Sequence, residues 1–573
     1  MLSESLFLHN KSLSSILKVM ARFKFIFLIL IAFSNITYAK QPNVIIFLVD
    51  DLGWADISLR GAPISTPNID SIFEEGVDLQ RFYATPICSP TRAALMTGRD
   101  PMKLGVSYAV IMPWMNNGIH PEEMFMPQAF QSAGYQTALV GKWHLGHSQA
   151  IFHPNQRGFD NFYGHLHTEV GYFSPFANLG GADFQRNGVT VTDEGYETFL
   201  LADEADRWIR SRDPTKPFFL YMPFIAPHSP LEAPEDYVAK YADLEDTREL
   251  TRSESIDRTR RMNPAGSARP LYAAVVDALD VAIGKVLNTL KEEGIEEETI
   301  ILFSSDNGGA AYAGGGADNY PLRGGKGTTY EGGIRVIAAM KWKGKIEPGS
   351  SFESTMTVMD VFPTLAAAAE IPTLASKTLD GRNMLPQILN NNDAALKGEI
   401  YFASETPNYG EFHTTVFNDD WKLVQVITSS LYEVNIENQL FNISKDPNEE
   451  NDLSAKYPSL VRDYAEKIRN WRALHPISGT RSQLVPPPGW RAPKDWSRYT
   501  IPIAELDDDS SLGFGAHAHQ VLDFLLKDHG RIVYDCPQGD WQRGKCDPEY
   551  QCTYEELRNS KCTPTGPREQ HEH

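Results

Sequence analysis

The chain of 573 residues predicts a layered α/β fold, with helices covering a mostly parallel sheet. Three observations lead there. Short, nearly continuous apolar runs recur at 44–49, 137–140, 218–222 and 299–303, as expected of strands buried on both faces. A helical period fits 271–291, where Val276, Leu279, Ile283, Val286, Leu287 and Leu290 recur on one side and Pro270 suits the start. Finally, each apolar run leads into polar residues: Asp50-Asp51, Gly141-Lys142-Trp143-His144, Ala226-Pro227-His228 and Asp306-Asn307. Ligands of open α/β sheets bind beyond the carboxyl ends of the strands, so four strand ends carrying Asp, Lys, His or Asn point to one convergent site.

Composition bounds the function. At 42% hydrophobic and 11% aromatic the chain buries a large core, which excludes wholesale disorder. A net charge of −21 argues against a nucleic-acid binder that works by neutralising phosphates. The five cysteines are unevenly placed: Cys88 stands alone, and Cys536, Cys546, Cys552 and Cys562 crowd the C-terminal end.

The N-terminus reads as a secretory signal over 1–39. Lys18, Arg22 and Lys24 precede the apolar run 25–33, and Thr37-Tyr38-Ala39 carries small residues at a cleavage site. The run is short for a membrane span, an uncleaved anchor being the alternative. Met20 is a second start that would make a more compact signal. Cleavage removes four basic residues and one acidic, leaving −24. No later segment offers eighteen consecutive apolar residues, so the expectation is a secreted or periplasmic protein without a stable membrane span. In an oxidising compartment the four tail cysteines are expected as two disulfides of open connectivity. A zinc site is the alternative, though the cluster lacks Cys-x-x-Cys pairs.

Beyond 400 the texture changes. Residues 421–424 and 439–441 read as strands of a small antiparallel unit, followed by a helix near 458–473. From about 475 the chain turns irregular, with Pro486-Pro487-Pro488 before the cysteine-rich tail. The division is thus 40–400 for the main domain, 401–475 for an α+β subdomain and 476–573 for an extension. The charged stretch 241–268 reads as a surface loop.

The sharpest motif is Cys88-Ser89-Pro90-Thr91-Arg92, continuing to Thr97-Gly98-Arg99. With Asp50-Asp51, 141–146, Ala226-Pro227-His228, Ser305-Asp306-Asn307-Gly308 and the glycine-rich 324–333, in that order, the chain resembles the formylglycine-dependent sulfatases. The likeness is to the arylsulfatase A and B type, including bacterial polysaccharide sulfatases, and runs from about 42 to 475. It implies an alkaline-phosphatase-like fold with a smaller C-terminal antiparallel sheet plus helix. It also implies that Cys88 is oxidised to 3-oxoalanine, formylglycine, by a formylglycine-generating or anaerobic sulfatase-maturating enzyme.

Asp50, Asp51, Asp306 and Asn307 offer oxygen ligands, which suit a hard cation. Adjacent carboxylates repel, and a cation relieves that repulsion. By the resemblance the cation is Ca²⁺, with Mg²⁺ the alternative, and residue 88 completes the shell. The resemblance further gives Lys142 and Lys326 to the sulfate, and His228 to both the sulfate and the leaving alcohol as general acid. It makes His144 the base acting on the formylglycine hydroxyl, and Arg92 the residue steadying the hydrated aldehyde. One hydroxyl of that aldehyde attacks sulfur, and the second then loses its proton so that sulfate departs.

His165 and His167 are candidates for a substrate subsite, with surface histidines the alternative. Trp114, Trp490 and Trp496 are candidates for stacking on sugar rings, with core or tail packing the expectation for each. The substrate reading is a sulfated carbohydrate, an algal polysaccharide such as ulvan or carrageenan, or a glycosaminoglycan. Small aryl esters, phosphonate or phosphate esters, and a non-catalytic binding protein are the alternatives. The sequon Asn442-Ile443-Ser444 leans towards a bacterial source.

Overall fold

The computed structural model describes residues 41–177, 180–246, 268–311, 315–372, 378–392, 398–406, 411–429, 434–476 and 490–498. The signal segment, most of the charged stretch 241–268, the prolines at 486–488 and the four tail cysteines lie outside the described residues.

The apolar runs form the middle of a ten-stranded sheet. Five strands lie side by side and parallel, in the order Thr299–Ser305, Asn43–Val49, Phe218–Pro223, Gln136–Lys142 and Asn161–His165. Beyond Thr299–Ser305 come Ala338–Trp342, antiparallel, then Val77–Leu79 and Ser350–Phe352. Beyond Asn161–His165 the sheet ends in the short strands Gln185–Arg186 and Val189–Thr190.

Successive side chains of a strand point to opposite faces. Ile45, Phe47 and Val49 therefore enter one buried cluster, with Leu279, Ile283 and Val286 of the helix Arg269–Glu292. Val44, Ile46 and Leu48 enter the other, with Ala93 and Leu95 of the helix Cys88–Thr97, and with Phe130 and Leu365. All seven residues of Asn43–Val49 are buried, which is why the run shows no polar alternation.

The helix Cys88–Thr97 is buried along its whole length and stops where Gly98 turns to φ 63°. Close backbone approach places two further segments. A Cβ on Gly141 would lie 2.1 Å from the Pro223 carbonyl oxygen, and one on Gly308 would lie 1.8 Å from that of Gly332. Only glycine lets the chain pass there.

The second sheet is a four-stranded antiparallel meander, Ile400–Thr406, Glu411–Phe417, Trp421–Ser429 and Val434–Asn442. The helix Pro458–Arg472 covers one face through Tyr464 and Ile468, packed on Val416, Leu423 and Leu440. The other face meets Tyr83, Tyr330 and Ile334. In that seam Lys422 Nζ lies 2.8 Å from Glu331 Oε1 and 2.9 Å from Glu449 Oε1, with all three side chains buried. The Tyr83 hydroxyl donates to Glu331 at 2.9 Å. Burial raises both carboxyls and Lys422 opposes it. Glu331 ends below its ordinary range, while Glu449, with the charge of Glu331 beside it, is pushed up to about 7. Among the described residues no helix is long and apolar enough to cross a membrane.

Replacing Lys422 by Met would strand two buried carboxylates. A loss of about 3–5 kcal/mol is expected in denaturant unfolding, since breaking a buried ion pair leaves the remaining charge uncompensated. An unchanged midpoint and slope would refute this role for the lysine.

Stability should also depend on pH through Glu197, which opens the helix Glu197–Ser211. Burial pushes its carboxyl from 4.5 up to about 8, with Lys142 pulling partly back. Between those values the folded chain holds a proton that the unfolded chain has lost, so stability falls as pH rises through the window. Glu197→Gln should therefore gain on the wild type steadily from about pH 4.5 to about pH 8, measured by urea unfolding. A constant offset across that range would show that Glu197 does not titrate this way.

Candidate active site

Asp50 and Asp51 follow Asn43–Val49, and Asp306 and Asn307 follow Thr299–Ser305. The register sets Val49 opposite Ser305, so Asp50 and Asp306 leave the sheet side by side, both fully buried. Two carboxylates so placed repel unless a cation stands between them. Arg92 is that cation. Its Nη2 lies 2.9 Å from Asp50 Oδ2 and 2.9 Å from Asp306 Oδ2, Nε donates to Asp306 at 3.2 Å, and Nη1 donates to the Lys142 carbonyl at 3.0 Å.

Cys88 is one helical turn before Arg92 and so shares its face. Cys88 Sγ is 3.5 Å from Asp50 Oδ1. Burial, and then the Asp50 charge, push its thiol far up, which keeps it un-ionised as a plain cysteine. Lys142 Nζ reaches Asp50 Oδ2 at 2.5 Å, and Lys326 Nζ reaches Asp51 Oδ2 at 2.9 Å. Burial raises the Asp50 carboxyl, but Lys142, His228, Arg92 and Lys326 outweigh it and hold Asp50 well below the carboxylate range. Burial and the charge of Asp50 push Asp306 up to about 7, against Arg92.

The two histidines show different faces. His144 Nε2 is 3.2 Å from the Ile111 carbonyl. A carbonyl only accepts, so Nε2 carries the hydrogen and Nδ1 is left with its lone pair, buried and without a partner. Burial, with Lys142 and Arg92, lowers its pKa well below the ordinary value, so the ring is neutral. His228 Nδ1 donates to the Ser229 carbonyl at 2.5 Å, while Nε2 faces Asp51 Oδ2 at 3.6 Å. Burial and Lys326 lower its pKa too, against the pull of Asp51 and Asp50. Asp51 and His144 hold φ of 71° and 58°, a left-handed conformation that is costly outside glycine and recurs at functional sites.

Asp50, Asp51, Cys88 and His228 bring one ligand atom each to within 4.8 Å of one another. Asp306 Oδ1 and Asn307 Oδ1 are buried without a hydrogen-bond donor. Asn307 Nδ2 donates to Asp51 Oδ1 at 2.7 Å, which turns the amide oxygen away from that contact. Buried oxygens with no donor, beside two more carboxylates, are the donor set of a hard divalent cation, so these residues fit one.

The matches with known proteins agree with this layout. The "Sulfatase" family model matches residues 42–371. The chain belongs to the sulfatase family. A second model, "N-sulphoglucosamine sulphohydrolase, C-terminal", matches 325–473 of this sulfatase. It is 32% identical to Arylsulfatase J of Mus musculus over 75% of each chain. It is 31% identical to the N-acetylgalactosamine-6-sulfatase of Homo sapiens, over 61% of this chain and 66% of that one. The crystal structure of Ps i-CgsB in complex with k-i-k-neocarrahexaose superimposes with a TM-score of 0.66 at 30% identity, covering 76% of this chain and 94% of that one. The sulfatase is thus a sulfuric ester hydrolase with the alkaline-phosphatase-like fold.

Asp50, Asp51, Cys88, Arg92, Lys142, His144, His228, Asp306, Asn307 and Lys326 lie together in this one region of the sulfatase. His165 pairs in register with Lys142 on the adjacent strand, and His167 follows it, both buried. Trp496 is buried against His167, while Trp490 and Trp114, both half-buried, pack edge-on to one another. Sequence reading missed Glu169, 3.9 Å from His228 Nδ1, and Tyr172, whose hydroxyl donates to the His228 carbonyl at 2.8 Å. Glu169 precedes the short hairpin of Val170–Gly171 and Ser174–Ala177 and Tyr172 lies in its turn, a stretch with no motif or periodicity, so no sequence signal marked them.

Arg92→Lys is expected to lower kcat on an aryl sulfate by about 100-fold. A lysine cannot span both carboxylates, and a shift of about 1 Å in a catalytic group costs that much. Steady-state kinetics with a parallel melting curve would check this, and wild-type kcat would show that bridging both aspartates is dispensable.

Proposed function

We propose that this sulfatase removes sulfate from a sulfated carbohydrate, an algal polysaccharide such as ulvan or carrageenan or a glycosaminoglycan, using formylglycine at position 88 and a bound Ca²⁺. The observation that carries the reading is the place of Cys88, 3.5 Å from Asp50 Oδ1 inside a buried ring of carboxylates and cations. The substrate class is supported by the galactosamine sulfatase relative and by the structural neighbour solved with a neocarrahexaose.

Asp50, Asp51, Asp306 and Asn307 would hold the cation, which would supply fixed positive charge to the oxygens of the ester. Hydrated by water, the aldehyde of residue 88 would supply one hydroxyl as the nucleophile and a second whose loss of a proton would reform the aldehyde and expel sulfate, a route that serine lacks. Lys142 and Lys326 hold the free sulfate oxygens, where preplaced charge is worth most because water is excluded. In its imidazolium form, which the charges of Asp51 and Asp50 favour, His228 gives a proton from Nε2 to the departing sugar oxygen, its ring oriented by the Ser229 carbonyl. His144 accepts a proton at Nδ1, the nitrogen that its Ile111 bond leaves open. Arg92 keeps Asp50 and Asp306 in place. The leader 1–39 and the two-disulfide reading of the tail belong to a secreted or periplasmic enzyme, matured by a formylglycine-generating or anaerobic sulfatase-maturating enzyme.

The purified enzyme should release sulfate from defined sulfated oligosaccharides, followed by mass spectrometry, and leave matched phosphate esters intact. Residue 88 should be about 18 Da lighter than cysteine by peptide mass, the thiol having become an aldehyde. Cys88→Ser should bind substrate and not turn over. Chelation should abolish activity and Ca²⁺ restore it. Sustained turnover by Cys88→Ser, or an unmodified Cys88 in active enzyme, would overturn the mechanism.

A further inference from the structure

A second polar cluster adjoins the anion-binding lysine. His147, His165 and His167 are all buried, and the segment 490–498 packs Trp496 against His147 and His167. The Trp496 ring centroid is 3.8 Å from that of His167 and 5.4 Å from that of His147, and the two imidazoles are 4.2 Å apart. Burial lowers the pKa of all three rings, to about 3 for His165 and about 4 for His147, so they are neutral.

Their hydrogen-bond roles can be read off. His165 Nδ1 donates to the His167 carbonyl at 3.0 Å, which leaves Nε2 an acceptor, buried and without a partner. His167 has no partner on either ring nitrogen, so it presents one donor and one acceptor. His147 is satisfied by the Pro113 carbonyl at 3.1 Å. Leaving such groups unpaired is costly, and the cost persists where a ligand repays it. Among the described residues these nitrogens do not join a group of three or more His, Cys, Asp or Glu with ligand atoms within 4.8 Å of one another. A neutral surface that both donates and accepts matches hydroxyls. His165 is level with Lys142, so those hydroxyls belong to the molecule whose sulfate Lys142 holds.

Trp496 has built anchors of its own. Its Nε1 donates to the Gly180 carbonyl at 3.0 Å, its backbone N–H donates to Ala182 at 2.9 Å, and Asp495 bridges to Ala182 and accepts from Thr190. Asp183, next to that bridge, accepts the backbone N–H groups of Leu166 and His167 at 3.0 and 2.9 Å. One chain of contacts therefore runs from the C-terminal segment through His167 to the strand beside Lys142.

We infer that His165 and His167 form the subsite for hydroxyls of the sulfated sugar, and that Trp496 is a positioning residue that sets this subsite from the C-terminal segment. The inference rests on the carbohydrate reading above. It makes the segment after the second sheet a determinant of which sulfate ester is chosen, while the Cys88 centre performs the chemistry.

The test measures kcat and KM for a panel of sulfated oligosaccharides and for an aryl sulfate, in wild type, Trp496→Ala, Trp496→Phe and His167→Gln, each with a melting curve. For Trp496→Ala and His167→Gln, kcat/KM on the best oligosaccharide relative to the aryl sulfate should fall about tenfold, through KM, as expected for about 1.4 kcal/mol of lost sugar contact. Trp496→Phe, which keeps a ring, should retain most of the ratio. If Trp496→Ala does not fold, His167→Gln still decides. An unchanged ratio, or equal losses on both substrates, overturns the inference and leaves the sulfatase reading standing. Wild-type turnover of the aryl ester with no oligosaccharide cleaved also overturns it. Turnover of no sulfate ester at all overturns the proposed function, and this inference with it.

Discussion

The site depends on one guanidinium. Arg92 stands between Asp50 and Asp306 and also holds the Lys142 carbonyl, so a single side chain fastens the ends of three strands to the helix that carries Cys88. All of these charged groups are fully buried, where removing charge from water is expensive. The arrangement holds because charge is matched locally: Arg92, Lys142 and Lys326 face Asp50, Asp51 and Asp306. A planar fork that bonds two carboxylates at once does this with one side chain, and a lysine does not.

That local balance explains how so acidic a chain handles an anion. A net charge of −21 repels polyanions in bulk, so in the proposed function recognition of a sulfate falls to a few cations held out of water. Burial strengthens them and also sets the protonation of what surrounds them. It keeps His144, His147, His165 and His167 neutral and raises Asp306 to about 7. The same physics recurs at the seam with the second sheet, where Lys422 is shared by Glu331 and Glu449. Glu331 lies in the glycine-rich stretch that also carries Lys326, so the small sheet helps to place a cation of the site.

Much of this was legible because strands buried on both faces leave a plain mark. The runs at 44–49, 137–140, 218–222 and 299–303 are the core of the parallel sheet, and the helix expected at 271–291 spans Arg269–Glu292. Strand polarity then dictates that residues just after each run share one edge of the sheet, so Asp50, Lys142, His228 and Asp306 could be grouped before any coordinate was known. The contacts that depend on chain segments far apart were not legible. Nothing near Lys422 announces a partner 91 residues away, and nothing in Trp496 announces the ring of His167. Tautomers were hidden as well: the open nitrogen of His144 is set by the Ile111 carbonyl, a backbone atom that every residue type carries.

By itself, then, the sequence determined the chemistry on offer: which oxygens, lysines, imidazoles and single cysteine meet at the strand ends. It did so because hydrophobic period and residue type are local properties. The tertiary structure decided how those groups are used. It chose Arg92 as the bridge, gave Asp50 and Asp306 unlike proton affinities although both are aspartates at strand ends, and laid Trp496 on the imidazoles. Those outcomes come from burial and from distances between segments remote in the chain, and such quantities exist only once the chain has folded.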